Sequence, residues 1–411
     1  MKYARIINIF AGKDTTEPKG DAMNKKEISE IKKLLNKDKC HITRLCGCYV
    51  DAEKNIKTTI KQAFHSLEDE EMFKYINIFR GSLSGTIGKN LLNLEFPNEQ
   101  EAEGGTQHFL MQLKESRLRD DELIQEFYNR VIENYEYGEN YYIILAHAAY
   151  DIPTITSDNY EQEDASIYVY EHLLCSICPV KLEKSGLCYN AESNTIETKI
   201  RGWLVDAPIH GFLFPAFNDR NTDVHAMLYY TKKSEEPNPS FLDNMFACHK
   251  PLTFKNQNET FQSIITNSLG EECCFGTVKN IHENINEMIE VQKDLPEPVI
   301  LDKSDVKQLF ADSGISNEKL DLFDKSYEHT MYETTDIEED EVDNTSFIAN
   351  NITNPRNLEI KMPDVSIKVS PDKSHLVETR IIDGIPYITV QVDGVIELNG
   401  VPVRPDAPES E

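Results

Sequence analysis

Hydrophobic residues recur along the chain with two different spacings, and the spacing changes near residue 140. Over 23–136 the apolar positions lie mostly three or four residues apart, which predicts amphipathic helices. Over 141–230 they form short apolar runs such as Tyr141–Tyr150, which predict the buried strands of a central, mainly antiparallel sheet. Helical spacing returns over 258–330. We therefore predict a main α+β domain over 23–330.

The pattern changes again after this domain. The acidic run Glu333–Asp343 has almost no apolar residues, which predicts a flexible linker over 331–354. Short alternating runs follow, separated by turn-forming pairs such as Asp383–Gly384 and Asp393–Gly394. These runs predict a small, separate all-β domain over 355–405.

The two ends of the chain carry little pattern. We predict that residues 1–22 form a flexible N-terminal extension and that 406–411 form a short tail. The apolar segment Ile6–Ala11 is shorter than the roughly 7–15 residues of a secretion signal core. No run reaches the about 20 apolar residues that a membrane-spanning helix needs. We therefore predict a cytoplasmic protein with no membrane partner.

The composition narrows the classes of partner. The formal net charge is −29, from 71 acidic and 42 basic residues. Such a charge opposes binding to the phosphate backbone unless basic residues gather on one face, so nucleic acid is disfavoured as a partner. A protein partner or a homo-oligomer is the favoured alternative. The nine cysteines are odd in number and irregularly spaced, which is typical of reduced thiols rather than of a disulfide framework.

One cysteine pair has the spacing of a metal or redox motif, Cys175-Ser-Ile-Cys178. A zinc site needs a second pair of ligands, and none has matching spacing. The pair also falls in an apolar strand pattern, where the two side chains would point to opposite faces. We favour buried structural cysteines over a metal site, and we expect no cofactor.

Four residues are candidates for catalysis, namely His147, Asp151, Asp206 and His210. His147 and Asp151 lie in one apolar strand pattern, and a His–Asp pair can transfer protons. Asp206 and His210 lie just before a second apolar run. The alternative is that the histidines are hydrogen-bonded core residues.

A cluster of polar residues follows this second run at Asn218, Asp219 and Arg220. Loops at strand ends often carry binding sites, so these three residues are candidates for binding a ligand or a cation. The alternative is an Asx-turn with a local Arg–Asp ion pair.

Several segments together resemble a family of Gram-positive, mostly clostridial bacteria, the domain of unknown function 4317. The resemblance extends from Met23 to about Val403 and implies no particular activity, substrate or catalytic residue. The segments that carry it are Asn24–Ile31, Ile42–Val50, Leu83–Asn90, Leu174–Leu182, Gly211–Arg220, Glu259–Ser263 and Val377–Gly384.

The order of helices, central sheet, helices and a small β tail is also distantly similar to the 37-kDa nucleoid-associated proteins of bacteria. The segments compared are Glu126–Tyr150, Met227–Cys248 and the tail. This resemblance implies association with the chromosome, either directly or through partners. The net charge argues against tight direct binding of DNA.

We therefore predict a non-enzymatic binding or interaction protein, with nucleoid association as one form of it. The alternative is an enzyme with a polar site at the ends of the central strands. A convergent polar site would favour the enzyme, a basic groove would favour nucleic acid, and an exposed apolar surface would favour a protein partner.

Overall fold

The structure is a computed structural model that describes residues 22–155, 161–162, 168–234, 241–248, 252–335, 342, 345–398 and 400–404. Within these residues the chain forms two compact units, which divide between Phe254 and Lys255. We call them the N-terminal unit and the C-terminal unit. The N-terminal extension predicted over 1–22 lies outside the described residues except for Ala22.

Both units contain helices and strands, which confirms the predicted α+β class. The helices are α1 (Lys25–Leu34), α2 (Asp69–Ser82), α3 (Thr106–Glu115), α4 (Asp121–Asn134), α5 (Phe254–Leu269), α6 (Phe275–Val291), α7 (Lys303–Asp312), α8 (Asn317–Thr334) and α9 (Ala349–Ile352), with a π-helix over Phe241–Phe246. Among the described residues, no helix combines the length and the apolar content needed to cross a membrane.

The strands are short except in the centre of the N-terminal unit. In that unit they are β1 (Ile42–Val50), β2 (Ile56–Ala63), β3 (Leu91–Glu95), β4 (Tyr141–Ile152), β5 (Thr154–Ile155), β6 (Glu161–Gln162), β7 (Tyr168–Leu182), β8 (Leu187–Asn190), β9 (Thr195–Thr198), β10 (Trp203–Val205), β11 (His210–Phe214), β12 (Ala216–Asn218), β13 (Asn221–Asp223) and β14 (Ala226–Thr231). In the C-terminal unit they are β15 (Ile300–Leu301), β16 (Phe347–Ile348), β17 (Leu358–Met362), β18 (Val365–Val369), β19 (Val377–Ile382), β20 (Ile385–Val390), β21 (Ile396–Leu398) and β22 (Val401–Val403).

One antiparallel sheet organises the N-terminal unit, in the order β2-β1-β4-β7-β11-β14-β3. The long strands β4 and β7 lie at its centre, where Leu145 pairs with Cys175. The predicted antiparallel sheet is thus confirmed. It is wider than the pattern over 141–230 indicates, because β1, β2 and β3 come from the segment that was predicted to be mainly helical.

The alternation of side chains along these strands builds a hydrophobic core on each face of the sheet. Leu145 and Cys175 point to the face covered by α3, α4 and the π-helix. Ala146 and Leu174 point to the opposite face, which α1 and α2 cover. Every central strand is therefore buried on both sides, which explains why β4 and β7 are almost continuously apolar.

Side-chain caps fix where two of the covering helices begin. Asn24 and Glu27 form a capping box at the start of α1, in which Glu27 accepts a 2.8 Å hydrogen bond from the Asn24 N–H. Asp120 accepts hydrogen bonds from the Glu122 and Leu123 N–H groups at the start of α4. Caps of this kind contribute about 1 kcal/mol each.

The C-terminal unit begins with helices around an aromatic core that includes Phe261, Phe310 and Phe323. A short strand pair joins Leu301 to Phe347, and Phe347 is fully buried. Phe347 belongs to the segment 331–354 that was predicted to be a linker. Residues 336–341, 343 and 344, which include most of its acidic side chains, lie outside the described residues, whereas the end of α8, β16 and α9 belong to this segment and are described. The predicted domain boundaries stay a prediction.

Three β-hairpins follow, β17–β18, β19–β20 and β21–β22, and each is a separate two-stranded sheet. Asp383 and Gly384 have φ values of 52° and 78° and form the turn of the second hairpin, as their sequence predicts. Asp393–Gly394, in contrast, lies between two hairpins instead of within a hairpin turn. The hairpins are attached to the helices through β19, since Val377 is fully buried and its carbonyl accepts a 3.3 Å hydrogen bond from Lys279 on α6.

Candidate functional site

His147 lies on β4 with a buried ring and a mixed polar environment. Its Nδ1 is 2.8 Å from the Thr43 hydroxyl, and this hydroxyl donates to the His147 carbonyl at 3.2 Å. The Thr43 side chain thus holds the Nδ1 side of the ring. Nε2 has no hydrogen-bond partner among the described residues and lies 3.9 Å from Glu171, which is itself 2.5 Å from Arg117.

Burial lowers the pKa of His147 to about 4; Glu171 opposes this shift and Arg117, Lys114 and Arg119 add to it. The ring is therefore neutral near pH 7 and a weak base. The predicted partner Asp151 is exposed, and Glu171 on the neighbouring strand takes its place beside the ring.

His210 and Asp206 contact different residues. His210 is buried on β11, where its Nδ1 is 2.7 Å from the Tyr229 hydroxyl, and burial lowers its pKa to about 4. Asp206 is half exposed and forms a 3.1 Å ion pair with Lys181. Its pKa is lowered by a hydrogen bond from the Ala207 N–H and by Lys181.

The two histidines point to the same face of the sheet but do not converge. His147 pairs with Leu173 of β7, and His210 pairs with Ile177 of the same strand. Four residues along a strand span about 13 Å. The structure therefore does not assemble the candidate catalytic residues into one site.

The residues Asn218, Asp219 and Arg220 form the turn between β12 and β13. Asp219 and Arg220 have φ values of 46° and 56°, which are positions of a type I′ turn usually taken by glycine or asparagine. Arg220 forms a 3.1 Å ion pair with Glu30 on α1, and the contacts described for Asp219 and Arg220 include no ion pair between the two. Asn218 donates a 2.6 Å hydrogen bond to Asp223. The Arg220–Glu30 pair attaches the turn to α1, and the Asn218–Asp223 bond lies within the hairpin.

Cys175 and Cys178 are both buried, one in each of the two cores on opposite faces of the sheet. Burial raises the pKa of both thiols, which disfavours the thiolate that binds metals. In the part of the chain that the structure describes, no group of three or more His, Cys, Asp or Glu residues is arranged to hold a metal ion.

The most exposed apolar surface of the N-terminal unit is a two-stranded ribbon over residues 181–205, which we call the β-arm. Strand β4 begins at Tyr141, opposite Pro179, and past Pro179 β7 pairs with β10. The ribbon continues through hydrogen bonds from the Glu183 N–H to the Gly202 carbonyl and from the Lys199 N–H to the Gly186 carbonyl. Among the described residues, the strands of the β-arm pair only with each other.

Eight large apolar side chains of the β-arm are exposed. They include the one tryptophan of the chain, Trp203, which is 57% exposed. On the β8–β9 hairpin, Tyr189 pairs with Ile196 and lies on the same face as Leu187, whereas the opposite face is polar. The eight residues are Leu182, Leu187, Tyr189, Ile196, Ile200, Trp203, Leu204 and Val205.

The family model of a domain of unknown function (DUF4317) matches residues 23–401. The chain belongs to this family. The match includes the central sheet, the β-arm and almost all of the C-terminal hairpins, and it confirms the resemblance seen in the sequence. No curated protein and no solved structure matches this DUF4317 chain.

Some of the charges on the β-arm of this DUF4317 chain are paired. Lys199 and Glu183 form a 3.0 Å ion pair, and Lys181 binds Asp206. The pKa of Glu183 is lowered by Lys199 and by the Gly202 N–H. Residues 181–205 contain four basic and three acidic side chains, in a chain with a net charge of −29. The arm therefore has far less negative charge than the rest of the protein.

The sequence of Lys181–Ile200, with Ala191–Asn194 at the turn, predicts a hairpin at this place but not its exposure. The apolar side chains of the arm are of the same types as those of the buried strands, but β4, which begins opposite Pro179, does not extend alongside the arm. The available signal was the density of charged residues between the apolar ones, such as Lys184 and Arg201, which buried strands lack.

Proposed function

We propose that this protein is an interaction protein, and that its β-arm binds an apolar groove on another protein. The observation that supports this is the set of exposed apolar side chains around Trp203. Exposed tryptophan and tyrosine with nearby arginine are typical of the centres of protein interfaces. Burying one such large apolar side chain contributes about 1.5–3 kcal/mol, so a few of them support a stable complex.

The charge of the β-arm suggests the chemistry of the partner. Lys184 and Arg201 lie beside the apolar residues, and the arm as a whole has a small positive excess. We propose a groove that is apolar in its centre and has carboxylates at its rim. The apolar centre of such a groove would contact the exposed apolar side chains of the β-arm, and its carboxylates would pair with the basic residues beside them.

Nucleic acid is less well supported as the partner. Two of the four basic side chains of the arm, Lys181 and Lys199, are already paired with Asp206 and Glu183. Binding to nucleic acid depends on unpaired basic side chains that contact phosphates and so release the counterions of the nucleic acid. The net charge of −29 also opposes such binding. Under this proposal, any association with the nucleoid would occur through a protein.

An enzymatic role is also less well supported than a binding role. It would need several of the candidate catalytic residues in one place, whereas His147 and His210 lie about 13 Å apart along the strand direction. We also propose a cytoplasmic location, which agrees with the free thiols of all nine cysteines.

The test uses the full chain with Trp203 and Tyr189 both changed to serine. Both side chains are exposed, so circular dichroism should show an unchanged fold. A matched control is Phe73→Ser, because Phe73 on α2 is as exposed as Trp203, at 57%. We expect the wild type and the control to capture the same protein from a nuclease-treated lysate, and the double variant to lose it.

Binding is then measured with the purified partner through Trp203, which is the only tryptophan. We expect its emission to shift to shorter wavelength and its quenching by acrylamide to fall, because docking removes the ring from water. Unchanged emission on binding, capture by the double variant, or capture that disappears with nuclease would each contradict the proposal.

A further inference from the structure

The three C-terminal hairpins are two-stranded sheets, and each exposes large apolar side chains. An isolated hairpin is marginally stable in water, and three or more strands with an apolar face are normally needed. Eleven large apolar side chains of β17–β22 and their turns are exposed. They are Met362, Val365, Ile381, Ile382, Ile385, Tyr387, Val390, Val392, Val395, Leu398 and Val401.

The first hairpin is strongly amphipathic. On one face Leu358 pairs with Val369, Ile360 with Ile367 and Met362 with Val365, and all six side chains are at least partly exposed. The other face carries Glu359, which is 3.1 Å from Lys361 and 3.5 Å from Lys368. In the described part of the chain, β17 and β18 pair only with each other, so each has an open edge.

Most other edges of these hairpins carry a feature that opposes further pairing. Pro386 and Pro402 interrupt β20 and β22, and proline cannot donate to a neighbouring strand. The Val377 carbonyl of β19 already accepts a hydrogen bond from Lys279. On β21, pairing with a second copy about Glu397 would place two carboxylates face to face.

Strand β17 carries no such feature, and its sequence, unlike that of β18, is complementary to itself. The order is apolar, acidic, apolar, basic, apolar, over Leu358-Glu359-Ile360-Lys361-Met362. In an antiparallel pair of two β17 strands centred on Ile360, Glu359 of each copy lies opposite Lys361 of the other. Leu358 then lies opposite Met362. A shift by one residue would instead place charges opposite apolar side chains.

We propose that two copies of this chain associate through antiparallel pairing of their β17 edges. The product is a four-stranded sheet, β18-β17-β17-β18, with one continuous apolar face and two symmetric Glu359–Lys361 pairs. Such an isologous contact is the usual form of a homodimer. The inference does not depend on the β-arm or on its partner.

The charge distribution supports a second copy as the occupant. The whole chain has a net charge of −29, which opposes contact between two copies over most of their surfaces. Residues 355–405, in contrast, contain seven acidic and six basic side chains. Repulsion is therefore weakest at this segment. Since five residues per strand form a small contact, we expect a reversible dimer with a dissociation constant of about micromolar.

The test is the charge pattern of β17, measured by sedimentation velocity of the full chain over a range of concentrations. Lys361→Glu places Glu359 opposite a second carboxylate in both symmetric pairs, so we expect the dissociation constant of the dimer to rise about tenfold or more. Exchanging both residues, Glu359→Lys with Lys361→Glu, restores opposite charges and should restore the dimer. The matched control is Lys368→Glu, which removes the other partner of Glu359 from β18 and should leave the dimer intact.

A covalent test follows from the same register. Ile360 of one copy lies opposite Ile360 of the other, at a distance that a disulfide can bridge. We expect Ile360→Cys to form a linked dimer on mild oxidation well above the background of the wild type, and Ile367→Cys on β18 to form none above that background. A wild type that stays monomeric at all concentrations would overturn the proposal. So would a Lys368→Glu variant that dissociates as readily as Lys361→Glu, or a double exchange that fails to restore the dimer.

Discussion

Lowering the pH from 7.5 to 5 should strongly destabilise the N-terminal unit, because three buried histidines must stay neutral in it. Burial lowers the pKa to about 4 for His147, about 3 for His172 and about 4 for His210. The unfolded chain has the ordinary histidine pKa of about 6.5. Below that pH the histidines of the unfolded state bind protons, whereas those of the folded state stay neutral. The free energy of unfolding therefore falls as the pH is lowered from about 6.5 to the folded pKa values.

The size of the effect follows from this difference in proton uptake. At pH 5 each histidine favours the unfolded state by about 2 kcal/mol relative to pH 7.5, so the three together cost about 6 kcal/mol. A domain is typically stable by about 5–15 kcal/mol, so the loss is a large part of the total. Glu27 acts in the opposite direction, since burial raises its pKa and the folded state binds its proton more readily.

The assay is urea unfolding at pH 7.5 and pH 5, followed by far-ultraviolet circular dichroism. Tryptophan fluorescence is unsuitable because Trp203 is exposed in the β-arm. The variant His172→Gln should reduce the difference between the two pH values by about 2 kcal/mol, whatever the substitution costs at each pH. His329→Gln, at a side chain that is 71% exposed, serves as the control. The reasoning is refuted if His172→Gln shows the full pH dependence of the wild type.

Three further outcomes follow from the structure. Gly47→Ala should destabilise the protein by about 1–3 kcal/mol in thermal unfolding, since the new methyl group would lie 2.0 Å from the Tyr142 hydroxyl. The control Gly276→Ala should cause no such loss, because its methyl group would meet open space. Equal losses of stability in the two variants would contradict the argument. Among the exposed thiols Cys274 should react fastest with a disulfide reagent, because hydrogen bonds from Thr277 lower its pKa. Thr277→Val should slow this reaction, and an unchanged rate would count against it. Elemental analysis of the native protein should find no stoichiometric zinc, because the two thiols of the CxxC segment face opposite cores; one zinc per chain would overturn this.

The elements that depend on local pattern were predictable, and those that depend on distant pairing were not. The apolar run Tyr141–Tyr150 predicts β4, and the Asp383–Gly384 pair predicts its hairpin turn, because alternation and positive φ are properties of neighbouring residues. Strand β3 was missed, since its five residues form a strand only by pairing with β14. Strand pairing of this kind joins residues far apart in the sequence.

The same limit applies to the candidate sites. Sequence proximity suggested Asp151 as the partner of His147, whereas the nearest carboxylate belongs to Glu171. Glu171 is 24 positions away and comes close because Ala149 pairs with it across β4 and β7. For the same reason Arg220 is paired with Glu30 of α1.

The two proposed contacts can also be separated from each other by experiment. If the β-arm binds its partner one to one, Lys361→Glu should leave the affinity measured through Trp203 unchanged, although it weakens the dimer. If the partner itself presents two or more grooves, a dimer offers two arms at once, and the second contact forms at a high effective concentration. Capture from dilute lysate would then fall with Lys361→Glu and recover with the double exchange. A loss of affinity for a partner that has a single groove would mean that the β-arm and the β17 edge are not independent.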